Sequence, residues 1–152
     1  MKQTLEAILK DHPFVKDLNP KHLHLLIGCA ANIRIEQGKY LFKENQPAEN
    51  FFFIRKGQIA IESFIPGKGQ ITIQTVDDGD ILGWSWLIPP YKWHFDAKAT
   101  TPVRAITLDA KCLRTKCEKD FELGYEMMKR VAYLMENRLQ ATRLQLLDFY
   151  GN

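Results

Sequence analysis

Gly79-Asp80-Ile81-Leu82-Gly83-Trp84-Ser85-Trp86-Leu87-Ile88-Pro89-Pro90-Tyr91-Lys92-Trp93-His94-Phe95 contains every tryptophan of the chain. It also contains two glycines four apart, Gly79 and Gly83, and an adjacent proline pair. A surface loop has no use for so much aromatic area, so the segment is expected to fold over a core or to line a pocket. The residues before it read as the first part of a small β-roll. The residues after it read as the last strands of that roll and then one long helix.

Upstream, period-two patterning begins at Asn32, where Ile33 and Ile35 alternate with Arg34 and Glu36. Gln37-Gly38 turns the chain and Tyr40-Leu41-Phe42 is a short strand. Asn45, in the polar loop beyond it, suits a left-handed position. Phe51-Phe52-Phe53-Ile54-Arg55 reads as a buried strand and Lys56-Gly57 as a hairpin turn, with Ile59, Ile61 and Phe64 on the return. Pro66-Gly67-Lys68-Gly69 marks a second hairpin tip before Ile71 to Val76. Nearer the N-terminus, Thr4 is placed to cap a short helix carrying Leu5, Ile8 and Leu9, and His12-Pro13 stops it. Asn19-Pro20 opens a second helix with Leu23, Leu26, Ile27 and Ala30 on its apolar side. Downstream, Phe95 to Ala99 and Val103 to Leu108 are closing strands. Many short strands joined by glycine turns predict an antiparallel sandwich or barrel.

Asp109 is placed to cap a short helix, and a long helix is expected from near Lys119. Along it Phe121, Tyr125, Met128, Ala132, Met135, Leu139, Thr142, Leu146 and Phe149 are spaced alternately by four and three. That is a heptad seam, and with the helix length it favours a parallel homodimer over a helix whose apolar faces both cover the chain's own core. Leu123, Met127, Val131 and Leu134 form a second apolar face beside it. The charges of Arg130, Arg138 and Arg143 with Glu126, Glu136 and Asp148 read as a solvated or inter-helix pattern.

The chain has 152 residues and a formal net charge of +3, which suits one domain and predicts no nucleic-acid surface by itself. No apolar run of about 18 residues indicates a membrane span, and the first residues lack a signal core. Cys29, Cys112 and Cys117 make no disulfide framework, so reduced thiols in a cytosolic protein are the simplest reading. No metal set assembles: His22 and His24 point to opposite sides of a helix. Ser85 with His94 lacks a nucleophile elbow and an orienting acid, so no enzyme activity is expected.

The order of elements resembles the cyclic nucleotide-binding domain of the catabolite-activator (Crp/Fnr-like) superfamily. Phe51-Phe52-Phe53-Ile54-Arg55-Lys56-Gly57-Gln58-Ile59 looks like its strand–glycine–strand signature, and Gly79-Asp80-Ile81-Leu82-Gly83 like the entry to its phosphate-binding cassette. Ala97-Lys98-Ala99 through Ile106 resembles the strands after the cassette. His12 to Leu18 with Leu23 to Ala31 resembles its helical entry, and the last helix its dimerisation helix. The resemblance implies a mainly β fold with flanking helices: an antiparallel β-roll, cupin-like jelly roll, over residues 1–118 and a dimerisation helix over 119–152. It also implies a cytoplasmic regulatory module. The chain ends at Asn152, so the helix-turn-helix domain that the transcription factors carry next is expected to be absent, and with it their DNA binding.

By the same resemblance Gly83, Trp84, Ser85, Trp86, Tyr91, Lys92 and Trp93 are the candidate ligand-binding residues, for cAMP or cGMP. Backbone N–H groups at Gly83, Trp84 and Ser85 stand where the family meets the phosphate. Trp84 replaces the glutamate that accepts from the ribose hydroxyl, and an indole N–H only donates. Tyr91 falls in the column of the cassette arginine, with Lys92 beside it as a point charge lacking the guanidinium fork. The cassette is therefore expected to be degenerate. Two non-enzymatic functions are then open: a ligand sensor passing its state to the long helix and an unknown protein partner, or a dimeric adaptor whose pocket binds no nucleotide; a third hypothesis, an enzyme of the related metal-binding β-roll class, requires a bound metal. The dimer interface is expected at Tyr125, Met128, Ala132, Met135, Leu139, Thr142 and Leu146. Whether Trp84 and Trp93 fill the cavity separates the two.

Overall fold

A computed structural model describes residues 4–151. The chain divides into two compact units, Met1–Thr115 and Lys116–Asn152.

The first unit opens with α1 (Leu5–Lys10), whose Ala7 N–H is capped by the Thr4 hydroxyl at 3.1 Å. A single 3-10 turn (Pro13–Val15) comes next, and then α2 (Pro20–Ile27), where Asn19 caps the Lys21 N–H at 2.8 Å. The strands are β1 (Ala30–Ile35), β2 (Tyr40–Phe42), β3 (Asn50–Lys56), β4 (Ile59–Ile65), β5 (Gly69–Val76), β6 (Ile81–Leu82), β7 (Asp96–Ala99) and β8 (Val103–Asp109). They form two antiparallel four-stranded sheets, ordered β1-β8-β3-β6 and β2-β7-β4-β5. This is the expected β-roll.

Period-two geometry explains why Phe51 to Ile54 are all buried. Phe52 and Ile54 point into the roll, into one cluster with Phe42, Ile59, Ile61, Leu82, Trp93, Ala97 and Ala105. Phe51 and Phe53 point outward, where Phe14 packs edge-on against both rings at 5.4 and 5.0 Å. The N-terminal turn thus seals the outer side of β3. His12 completes that seal: one ring nitrogen lies 3.1 Å from the Ile54 carbonyl and the other accepts from the Phe14 N–H at 3.2 Å.

Two expectations need correction. Lys56-Gly57 is not a hairpin, because β3 and β4 lie in different sheets. The chain turns a corner there: a Cβ on Gly57 would come within 2.6 Å of the Pro102 carbonyl, and Asp78 accepts from the Gly57 N–H at 2.7 Å. Nor are Cys29 and Cys112 reduced. They form a disulfide with a Cα–Cα distance of 5.7 Å. The pairing of β1 with β8 brings them together, Asp109 N–H donating to the Cys29 carbonyl at 3.0 Å. Sequence spacing does not reveal that proximity. Cys117 is free, and burial, then Asp120 and Glu118, pushes its thiol up to about 11.

Asp109 caps α3 (Ala110–Lys119) through the Cys112 N–H at 2.8 Å. In the second unit, Asp120 caps α4 (Phe121–Gly151) through the Leu123 N–H at 3.1 Å. Leu123, Met127 and Val131 are its buried stripe. The heptad seam is on another face and is exposed, with Phe121 83 % and Leu139 68 % accessible. Among the described residues no helix is long and apolar enough to cross a membrane.

Candidate functional site

The pairing of β6 with β3 (Phe52↔Leu82, Phe53↔Ile81) delivers Gly83 to the mouth of the roll. Gly83 is left-handed, φ 89° and ψ 53°, a conformation that suits glycine. Beyond it the cassette is one 3-10 turn (Trp84–Trp86), and Leu87 N–H donates to the Trp84 carbonyl at 3.0 Å. One such turn aligns few peptide dipoles, so it offers much less to an anion than a full helix start does. The chain then reverses through a cis Pro89-Pro90 bond and a left-handed Tyr91, φ 58°.

Residues 91–93 are strapped to the loop between β2 and β3. Ala48 N–H donates to the Tyr91 carbonyl at 2.7 Å, Trp93 N–H to the Gln46 carbonyl at 3.0 Å, and Asn45 N–H to the Trp93 carbonyl at 2.9 Å. Asn45 is left-handed, φ 71°, as its residue type suggested. The strap fixes which way each side chain goes. Lys92 is exposed, while Trp93 is 3 % accessible and belongs to the interior cluster.

Trp93 stacks on Phe42 with centroids 3.8 Å apart and planes 14° from parallel. Its ring lies so close over Gly83 that a Cβ there would fall 2.6 Å from Cη2 and 2.7 Å from Cζ3. The side of Gly83 on which a Cβ would stand is covered by this chain's own indole. Gly83 is therefore required twice, by its φ and by Trp93.

The other tryptophans lie elsewhere. Trp86 is fully buried on the outer side of β3, 5.4 Å from Phe51, and its Nε1 has no hydrogen-bond partner among the described residues. Trp84 is half-buried, and Ser85 is buried. The ring of Tyr91 lies against a guanidinium. Arg114 of α3 lies 4.2 Å over its ring and donates through Nη1 to the Trp86 carbonyl at 2.8 Å. Sequence reasoning missed Arg114, since it sits on the helix beyond β8 and no motif marks it. It also missed Phe42, whose place in a short alternating strand was the available signal.

Four of the candidate residues thus fall into two groups. Gly83 and Trp93 close the interior, and Trp86 and Tyr91 are joined by Arg114. Of the other three, Lys92 is exposed, Trp84 half-buried and Ser85 buried in the 3-10 turn. Among the described residues no three His, Cys, Asp or Glu side chains converge as a metal site requires.

The family model described as cyclic nucleotide-binding domain matches residues 32–120, and the chain belongs to that family. The protein is 26 % identical over 144 residues to cyclic nucleotide-gated ion channel 18 of Arabidopsis thaliana, covering 91 % of this chain but only 19 % of the channel. The crystal structure of a protein from Geobacter metallireducens, described as a putative cyclic nucleotide-binding protein, superposes with a TM-score of 0.79 at 28 % identity, covering 90 % of this chain and 99 % of that one. The catabolite activator protein of Thermus thermophilus superposes with a TM-score of 0.69 at 17 % identity, over 91 % of this chain and 63 % of that one, and shows the fold alone.

Proposed function

We propose that this chain is a non-enzymatic regulatory interaction module of the cyclic nucleotide-binding family whose interior is filled by Trp93 rather than open to cyclic nucleotide. The stack of Trp93 on Phe42, closed over Gly83, carries this reading. A nucleotide taking that place must expel the indole. Re-exposing about 150–250 Å² of aromatic surface costs roughly 4–6 kcal/mol, or about a thousandfold or more in affinity. A ligand would have to recover that from a cassette with no arginine in the Tyr91 column. The exposed seam on α4 supports assembly as a homodimer through Tyr125, Met128, Ala132, Met135, Leu139, Thr142 and Leu146.

A second reading keeps the ligand sensor. Gly83 is left-handed and leads directly into a 3-10 turn, so a flat ligand could replace Trp93 on Phe42 and signal by ejecting it. Fluorescence of the Trp84→Phe/Trp86→Phe variant separates the two, since Trp93 is then the sole tryptophan. The filled-interior reading predicts blue emission, shielded from acrylamide and unmoved by cAMP or cGMP. A saturable red shift on nucleotide addition would favour the sensor.

A further inference from the structure

The outer face of the first sheet carries a row of cations. In the β1–β8 pair Arg34 lies directly opposite Arg104, and in the β3–β8 pair Lys56 lies directly opposite the same Arg104. All three are exposed. Arg55 joins them: a register shift between Ile54 and Lys56 marks the bulge there, and its Nη1 reaches the Asn32 Oδ1 on β1 at 3.5 Å. Among the described residues none of the four has a carboxylate within ion-pair distance. Asp78 is committed to the Gly57 N–H, and Asp11 shares only a surface hollow with Arg55.

Like charges directly opposite in a sheet are destabilising, and opposite charges would be the ordinary solution on an exposed face. Here three adjacent strands place cations in one lateral row, in a chain whose formal net charge is only +3. The arrangement costs stability, and among the described residues no carboxylate within the fold offsets it.

We propose that this row is a docking surface for an acidic segment of a partner protein. Strands lie about 4.8 Å apart, so the row spans roughly 10 Å. An extended peptide repeats side chains on one face about every 6.8 Å, which sets two carboxylates along it. Three of the four cations are arginines, whose planar forks hold carboxylates bidentately. Nucleic acid fits less well, because about four phosphate contacts give weak, steeply salt-dependent binding. An anionic membrane also fits less well, since the exposed large apolar side chains lie on the β4–β5 hairpin, at Ile88 and on α4. The surface does not depend on what fills the interior of the roll.

The test is fluorescence anisotropy with a labelled peptide of alternating glutamate and serine. The wild-type chain should bind it saturably, and more weakly as salt rises. Arg34→Glu/Arg104→Glu should weaken binding by about tenfold or more, while Lys68→Glu/Lys111→Glu, an equal charge change elsewhere, should alter it by no more than about twofold. Arg34→Gln/Arg104→Gln, which only removes the like charges, replaces the first variant should that one fail to fold. Absence of wild-type binding, equal losses in the row and control variants, or tighter binding of oligothymidylate or phosphatidylserine vesicles would each overturn the proposal.

Discussion

Replacing Trp93 by alanine removes the side chain on which the interior is built. The ring is 3 % accessible, stacks on Phe42 at 3.8 Å and closes over Gly83. Truncating a buried tryptophan costs about 3–5 kcal/mol, which agrees with the area estimate for expelling it. With a urea slope near ~2 kcal/mol per molar, the unfolding midpoint should fall by about 2 M. The strap from 91–93 to the β2–β3 loop holds the backbone in place, so the variant should keep a cavity rather than collapse. Such apolar cavities take up small aromatics, so added indole should restore part of the loss. The assay is urea unfolding followed by far-ultraviolet circular dichroism, with and without indole. A loss below about 1 kcal/mol would refute the reasoning, because the indole would then not be a core side chain.

The same geometry sets other expectations. Gly83→Ala should cost about 3 kcal/mol in urea unfolding, from a left-handed alanine plus overpacking against Trp93; a near-neutral result would mean that the ring moves freely. Cys29 and Cys112 are 83 residues apart, so reduction or Cys112→Ser should lower stability by up to about 4.5 kcal/mol. Alkylation of both thiols without reductant would count against the bond. His12 has its pKa lowered chiefly by burial, against opposing contacts with Ile54 and Asp80. Its neutral form gives stability present in full above the unfolded value near ~6.5 and lost as pH falls through the lower folded value. The urea midpoint should therefore drop as pH falls below about 6.5 in the wild type, and drop less in His12→Gln. Met135→Lys should convert a dimer into a monomer in sedimentation velocity, and an unchanged dimer would move the interface off the seam.

The local rules of the sequence were legible where a single side chain decides the backbone. Thr4 and Asn19 cap their helices, and Asn45 takes the left-handed position. An antiparallel sandwich or barrel was legible from strand length and glycine spacing, and the β-roll from the family resemblance. Lys56-Gly57 was misread because a glycine turn between two apolar strands looks alike whether they pair or part into different sheets. The disulfide was hidden because β1–β8 pairing, not sequence spacing, joins Cys29 to Cys112. That bond also sits uneasily with a reducing cytosol. The cassette's odd composition was plain, but its meaning depended on direction. Among three neighbouring tryptophans, only Trp93 joins the interior cluster, and it does so because hydrogen bonds to residues 45–48 set its register. Arg114 could not be found at all, since its partners, the Trp86 carbonyl and the Tyr91 face, come from the fold.

Isothermal calorimetry of the wild-type chain with cAMP and cGMP bears most directly on the filled interior. With Trp93 stacked in place, neither nucleotide should give a saturable heat. A saturable one-to-one isotherm at micromolar concentration would contradict the filled interior, because the ligand would then be displacing Trp93 at little cost.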